Sequence, residues 1–350
     1  MRLWNKIVLG IFSVLTLQVL AGCVKLPDNN ERKPSQVISD GENTGLGEAF
    51  KPHVEQNQGK SGILLLGNGR DAFVGRAVLA RLAEKSIDVQ YYMFHQDTVG
   101  KLLIREFIAA ADCGVRVRML IDDMYGEEAD DVWTALDSHP HMEVRLFNPF
   151  VRGRSKSLQF LTRLSDVNYR MHSKSFTVDN QATIVGGRNI GDEYFDADKN
   201  LAFADIDVLA VGPVVPEVSI AFDQYWNSSH AYPASILTAP AAPEALPALK
   251  VNLDNFRQQD VAKRYIAALA DSHLARSLRA GTTSLAWAQA QVIHDSSEKK
   301  ERGEGWQKEL LISQLWPYME GTTKELLIIS PYFVPGKKGA DALCKLSEKG

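Results

Sequence analysis

Segments with strand and helix patterns alternate along most of this 350-residue chain, and that alternation limits the folds open to it. Apolar runs of strand length occur at residues 87–94, 115–121 and 142–147. The segments between them place apolar residues at helical spacing. Alternating strands and helices of this kind are typical of layers of helices packed on a sheet. The sequence therefore predicts an α/β layered fold.

The residues best suited to chemistry stand in the run MHSKSFTVDNQATIVGGRN, which starts at Met171. His172, Lys174 and Asp179 have the spacing H-x-K-x4-D, and Asn189 ends a G-G-x-N sequence that follows. Together they offer a nucleophile, a cation, a carboxylate and an amide donor. That set suits phosphodiester chemistry through a covalent phosphohistidine.

The same run predicts two short strands joined by a turn. Residues two apart on a strand face the same side, so we expect His172 and Lys174 to project together. Asn189 follows the second strand, where its amide could donate to the same phosphate. Gly187 would let the backbone approach a ligand closely. Arg188 could contact the phosphate or form a surface salt bridge.

This motif resembles the HKD motif of the phospholipase D superfamily, and more narrowly the bacterial cardiolipin synthase C-type lipoproteins. The similarity extends over SIDVQYYMFHQDTVGKLL, GVRVRMLIDD and ISPYFVPG. The resemblance implies a phospholipase D-like mixed sheet flanked by helices. It also implies a two-repeat architecture in which each half gives one HKD motif to a shared site. It implies a mechanism without a metal or other cofactor.

The sequence contains one H-x-K-x4-D motif, because none of the other seven histidines has a lysine two residues later. An internal repeat is nevertheless visible. A strand pattern followed by Gly100, a helix and Gly114 recurs near the end with Gly336 and Gly350. We therefore expect an incomplete second repeat, with the missing half-site supplied by a further C-terminal region or a dimer partner. Loss of a general acid typically costs about 10²–10⁴-fold, so we expect little activity from this chain alone.

The N-terminus predicts a secretion signal over residues 1–22. A charged start precedes an apolar run at residues 7–20, which is short for a membrane-spanning helix. The sequence Leu-Ala-Gly-Cys ending at Cys23 resembles a bacterial lipobox, which implies lipidation of Cys23. Val24 favours outer-membrane sorting by the rules of that family. We expect a lipid-anchored protein of the bacterial envelope that faces the periplasm; an ordinary signal peptide or a short anchor helix is the alternative.

The rest of the chain divides by composition. Residues 23–59 are polar and predict a flexible tether. Residues 60–230 would form the first phospholipase D-like half, and the Ala- and Pro-rich residues 231–250 a connector. Residues 251–350 would hold a helical segment and the start of the second half, with a strand at 326–333.

These observations favour a phosphatidyltransferase of the cardiolipin synthase type that acts on an anionic phospholipid such as phosphatidylglycerol. His172 would attack phosphorus, Lys174 and Asn189 would stabilise the phosphoryl oxygens, and Asp179 would orient or support the motif. The alternatives are a phospholipase D-type hydrolase, with a nuclease as one form, and a non-catalytic phospholipid-binding lipoprotein. The net charge of −4 argues against nucleic acid as a partner.

Weaker candidates surround the motif. Asp122 and Asp123 follow a strand and suit capping or loop hydrogen bonds better than a metal site. His95 and Glu193 are candidates for the rim of the site. Residues 151–170 mix basic and apolar side chains, which fits either an anionic lipid surface or a solvated loop. Aromatic residues expected in the core are Tyr91, Tyr92, Phe107 and Trp133.

Overall fold

A computed structural model gives the fold, which divides into two compact units, Met1–Ala290 and Gln291–Gly350. The predicted signal sequence and the predicted lipidation site at Cys23 lie outside the residues that the structure describes. Among the described residues no helix has both the length and the apolar character needed to cross a membrane. The described residues are 25–30, 32–198, 200–297, 310–328 and 333–348.

A nine-stranded sheet forms the centre of the first unit, in the order β8-β4-β3-β2-β5-β6-β7-β1-β9. Strands β2, β3 and β4 are parallel, and the remaining neighbours are antiparallel. The prediction of a mixed α/β sheet is confirmed. The strands are β1 (Ser61–Leu66), β2 (Ser86–Tyr91), β3 (Arg116–Asp122), β4 (Met142–Phe147), β5 (Ser175–Val178), β6 (Ala182–Gly186), β7 (Asp207–Val211), β8 (Ala231–Pro233) and β9 (Ala286–Ala288).

Helices cover both faces of this sheet. A large apolar core fills the space between one face and the helices α2, α3 and α4, and a smaller core packs α7 on the other face. The helices of the first unit are α1 (Gly45–Gln56), α2 (Gly69–Leu82), α3 (Thr98–Asp112), α4 (Asp130–Asp137), α5 (Lys156–Thr162), α6 (Leu164–Val167), α7 (Val214–Trp226), α8 (Ala234–Leu237), α9 (Ala245–Arg257), α10 (Asp260–Ala270) and α11 (His273–Ala280).

Local sequence explains several of these elements. All six residues of β2 are buried, as expected for a central strand covered on both faces. Helix α2 begins after Asn68, whose side chain accepts a hydrogen bond from the Asp71 amide, and Asp97 caps α3 in the same way. The register pairs Gln90 with Ser175, and Asp207 with both Gly186 and Leu66.

This register brings five chain segments to one end of the sheet, which we call the site end. It consists of the last residues of β1, β2 and β6 and the first residues of β5 and β7. The parallel strands β3 and β4 also finish there. The motif residues before β5 and after β6 therefore emerge together.

The predicted flexible tether over residues 23–59 is wrong for residues 25–56. Asn29 is buried and donates to the carbonyl oxygens of Ser229 and Ala231, and the Val37 amide donates to Asp223 at 2.8 Å. Helix α1 then packs Leu46 into the main core. The segment is polar because its side chains and amides hydrogen-bond to distant parts of the fold.

The predicted connector at residues 231–250 is also folded. Its first three residues form β8, which pairs with β4, and its end begins α9, which packs on α3. The first compact unit accordingly extends to Ala290 rather than ending at residue 230.

The second unit contains helices α12 (Leu311–Glu320) and α13 (Gly336–Glu348) among its described residues. The strand predicted at 326–333 is not formed at residues 326–328 or at Phe333, and the residues between them lie outside the described part. The second repeat therefore stays a prediction.

Candidate functional site

The three residues of the H-x-K-x4-D motif lie at opposite ends of β5. Asp179 is fully buried in the turn that follows this strand, where its backbone is left-handed (φ 51°). Its carboxylate accepts hydrogen bonds of 2.8–2.9 Å from the three consecutive backbone amides that begin at Glu84. His172 precedes the strand. At the rise per residue of an extended chain, His172 lies about 20 Å from Asp179. Asp179 thus supports the strands and does not meet His172.

His172 and Lys174 lie together at the site end. The His172 ring is exposed on one face and stacks on Tyr92, with ring centroids 4.2 Å apart and planes 19° apart. The Lys174 Nζ donates to the His172 carbonyl oxygen at 2.7 Å and lies 5.5 Å from the Tyr92 ring centroid. Residues 171–174 precede β5 rather than belonging to it. The two side chains still converge, because both contact the same tyrosine.

The charges around this pair suit a nucleophile beside a cation. Burial, helped by the positive charge of Lys174, lowers the pKa of His172 below its ordinary 6.5, so the imidazole is neutral at pH 7. Burial also lowers the pKa of Lys174 to about 8, against the opposing charges of Asp205 and Asp122. The ammonium therefore still carries its proton at pH 7. Burial raises the pKa of Tyr92 to about 12, which keeps the phenol neutral.

Asp122 fixes the backbone next to His172. Its buried carboxylate accepts hydrogen bonds from the Met171 amide at 2.8 Å and the Met124 amide at 2.9 Å, and pairs with Arg170 at 3.1 Å. Burial raises the pKa of Asp122 to about 6, although Arg170 acts in the opposite direction. The interpretation of this aspartate as a loop hydrogen-bonding residue is confirmed.

Asp123 fixes the backbone of the neighbouring loop in a similar way. Its buried carboxylate accepts from the Phe150 amide at 2.7 Å and pairs with Arg152. Arg152 in turn pairs with Asp130 at 2.7 Å. Both carboxylates of the Asp122–Asp123 pair are thus occupied by backbone amides and arginines.

Asn189 is buried at the site end and held on both sides of its amide. Its Oδ1 accepts from the Met93 amide at 3.1 Å, and its Nδ2 donates to the Tyr194 hydroxyl at 3.1 Å. An amide nitrogen carries two hydrogens, so Nδ2 has a second one to donate. Gly187 donates its own amide to the Ile206 carbonyl, and a Cβ there would collide with the Asp205 carboxylate. Its glycine serves close packing of two loops.

Arg188 does not have the predicted phosphate-binding role. Its guanidinium is buried and donates to four backbone carbonyl oxygens from three separate parts of the chain. The sequence shows that Arg188 is charged, but it does not show that other loops enclose the guanidinium. These carbonyls belong to Leu66, Gly67, Tyr194 and Asp205.

His95 and Glu193 belong to the rim of the site. His95 Nδ1 lies 3.7 Å from a Glu193 carboxylate oxygen, and the His95 ring faces Tyr125, which contacts Tyr92 edge-on. With Asp97, these side chains form the one group in the described residues whose ligand atoms, all within 4.8 Å of one another, could hold a metal ion. The Asp97 carboxylate already accepts two backbone amides, so capping accounts for its position.

Tyr92 is the functional candidate that sequence reasoning missed, because it was expected in the core. Tyr91, Phe107 and Trp133 are buried as predicted, whereas Tyr92 is half-buried under His172 and Lys174. Its position directly after β2 could have indicated this, since ligands of α/β sheets bind beyond the carboxyl ends of strands.

Comparisons with known proteins find similarity to bacterial cardiolipin synthases. Residues 79–226 match the family model described as cardiolipin synthase, PLD-like domain. The chain thus contains a segment that is similar to a PLD-like domain. It is similar to cardiolipin synthase C of Escherichia coli (strain K12), with 40% identity over 306 residues, covering 87% of this chain and 64% of that protein.

Two further relatives belong to other bacteria. An uncharacterized protein of Helicobacter pylori (strain ATCC 700392 / 26695) is 37% identical over 62% of this phospholipase D-like chain and 43% of its own length. A cardiolipin synthase of Geobacillus kaustophilus (strain HTA426) is 32% identical over 46% of this chain and 31% of its own length. The chain therefore spans less than two thirds of each of these relatives.

Proposed function

We propose that this protein is a phosphatidyltransferase of the cardiolipin synthase type, acting on anionic phospholipids through His172. The observation that carries the proposal is a neutral, accessible imidazole beside a lysine ammonium on a shared tyrosine. Similarity to cardiolipin synthase C supports the choice of phospholipid and of transfer rather than hydrolysis.

In the first step, a His172 ring nitrogen forms a bond to the phosphorus of a phospholipid while the bond from phosphorus to the leaving alcohol breaks. That alcohol oxygen takes up a proton. The hydroxyl of a second lipid then attacks phosphorus and gives up its proton, and the P–N bond breaks to restore His172. Lys174 stabilises the charge on the phosphoryl oxygens, with Asn189 as the second donor and Asp179 as a structural support.

The proton for the leaving alcohol requires an acid. The phospholipase D superfamily joins two HKD motifs in one site, and this sequence has one. We propose that a second half, in a longer form of the protein or in a partner chain, supplies the acid. We also propose membrane association in the bacterial envelope, with a lipid at Cys23, a periplasmic site and an outer-membrane location; the relation to cardiolipin synthase C supports the membrane association.

A phospholipid with a p-nitrophenol leaving group tests the nucleophile without the acid, because nitrophenolate departs unprotonated. We expect a burst of about one nitrophenolate per folded chain, and mass spectrometry should locate the phosphatidyl group on His172. His172→Ala should abolish both signals. His141→Ala, which changes an exposed histidine at the other end of β4, should leave them intact. A burst that survives His172→Ala would overturn the proposal.

The acceptor is tested by adding phosphatidylglycerol vesicles after the burst. Formation of cardiolipin that contains the phosphatidyl group released from His172 supports a transferase. Phosphatidic acid without cardiolipin would show that water is the acceptor and that the enzyme is a phospholipase D-type hydrolase.

A further inference from the structure

Helices α5 and α6 expose three leucines that the body of the protein does not cover. Leu158, Leu161 and Leu164 have exposed fractions of 40%, 83% and 58%. We call these three residues the leucine patch. The helices are nevertheless anchored, because Gln159 is fully buried and bonds to both the amide and the carbonyl of Val151. The apolar side chains are therefore held outward by a fixed support.

The patch lies in a segment with an excess of basic residues. Residues 151–170 contain five basic residues and one acidic residue, in a chain with a net charge of −4. Arg152 and Arg170 pair with the buried aspartates described above. Of the other three basic residues, Arg154 is exposed, whereas Lys156 donates to the Met124 carbonyl oxygen and Arg163 donates to the Gln159 side chain. Exposed apolar side chains in a segment with an excess of positive charge match the interface of an anionic bilayer.

The patch is connected directly to the chemistry. Helix α6 ends at Val167, and the chain then passes through the Arg170–Asp122 pair and the Met171–Asp122 hydrogen bond to His172. A surface that holds α5 and α6 against a bilayer would bring the His172 ring to the same bilayer.

The beginning of the described chain lies at this end of the sheet as well. Asn29 is bonded to Ala231, which pairs with Phe147, the last residue of β4. Strand β4 runs parallel to β3 and β2, so its last residue lies at the site end. The N-terminal segment, the segment 151–170 and His172 thus share one end of the sheet.

We propose that the leucine patch is a docking surface for an anionic phospholipid bilayer, with its leucines inserted between headgroups and the exposed Arg154 facing the lipid phosphates. The docking orients the site end towards the membrane from which the substrate comes. Docking requires only the bilayer and its charge. The docking proposal can therefore be right or wrong independently of phosphatidyl transfer.

Fluorescence quenching in full-length protein tests the insertion. Leu161→Trp adds a reporter to the patch, and Val251→Trp on α9 is the control, because Val251 is also an exposed apolar residue, with an exposed fraction of 57%. On vesicles of phosphatidylglycerol with brominated acyl chains, we expect the Leu161→Trp signal to be quenched at least twofold more than the Val251→Trp signal. Equal quenching of the two, or none at position 161, would overturn the docking surface.

The role of charge is tested in the Leu161→Trp protein. Replacing phosphatidylglycerol by phosphatidylcholine, or adding Arg154→Glu, should reduce the excess quenching by about half or more. Excess quenching that is the same on both lipids would overturn the assignment to anionic bilayers. Because none of these signals needs turnover, a failure of docking is distinguishable from a failure of the nitrophenolate burst.

Discussion

The two ends of β5 carry residues of the same short motif, and these residues lie in opposite environments. At one end, His172 is accessible and Lys174 has a lowered pKa of about 8. At the other end, Asp179 is fully buried and its carboxylate accepts three backbone amides. Sequence proximity within a motif therefore does not imply a shared task. The first end exposes the proposed nucleophile, and the second holds the strands in place.

The sharpest test of this contrast is His172→Asn. We expect the nitrophenolate burst to fall by at least about 10³-fold, because the nucleophile is lost. The free energy of unfolding should stay within about 0.5 kcal/mol of the parent, since the ring is largely at the surface. Urea unfolding measures the second quantity. A large loss of stability would mean that the two ends are not separate in function.

The charge of Lys174 should appear in the pH dependence of the burst rate. The rate should rise as His172 loses its proton below pH 6.5 and fall above about pH 8 as Lys174 loses its own. Lys174→Arg keeps the charge at all these pH values and should remove the alkaline fall. An unchanged alkaline limb in Lys174→Arg would assign that limb to another group.

Asp179→Ala should show the reverse pattern to His172→Asn. It leaves one buried and two partly buried amides without acceptors, so we expect a loss of about 2–4 kcal/mol in the free energy of unfolding. The burst per folded molecule should change less than tenfold. Asp271→Ala, at an exposed aspartate, is the control and should alter neither quantity. A burst abolished in folded Asp179→Ala protein would place Asp179 in the chemistry.

The smallest expected effect concerns Tyr92. Tyr92→Leu removes the ring on which His172 stacks, and we expect the burst rate to fall about tenfold because the imidazole loses its fixed orientation. Tyr92→Phe keeps the ring and should behave like the parent. If Tyr92→Phe is as slow as Tyr92→Leu, the hydroxyl rather than the ring is the important group.

The parts of the fold that could be predicted are those determined by local pattern. The strand predicted at 142–147 is present as β4, and the strand predicted at 115–121 is present as β3, shifted by one residue. The segments at 25–56 and 231–250 were missed because their partners are distant. Asn29 bonds to a residue 202 positions away, and no local pattern shows such a contact.

The same reasoning applies to the site. The spacing in the sequence indicated the pairing of His172 with Lys174, which the structure brings together on Tyr92. The spacing could not show that Arg188 is enclosed by carbonyls of other loops, or that Tyr92 leaves the core. Both depend on how separate chain segments close over one another.

The hydrogen bonds of Asp179 have a consequence for the alignment of the strands. Successive side chains of a strand point to opposite faces, so a slip of one residue between β5 and β2 would turn the buried face of β5 outward and displace the residues that precede it. The carboxylate of Asp179 reaches the amides at the start of β2 only in the native alignment. It therefore selects that alignment each time the protein folds. A residue at the far end of β5 thus helps to determine, through strand register, where His172 stands.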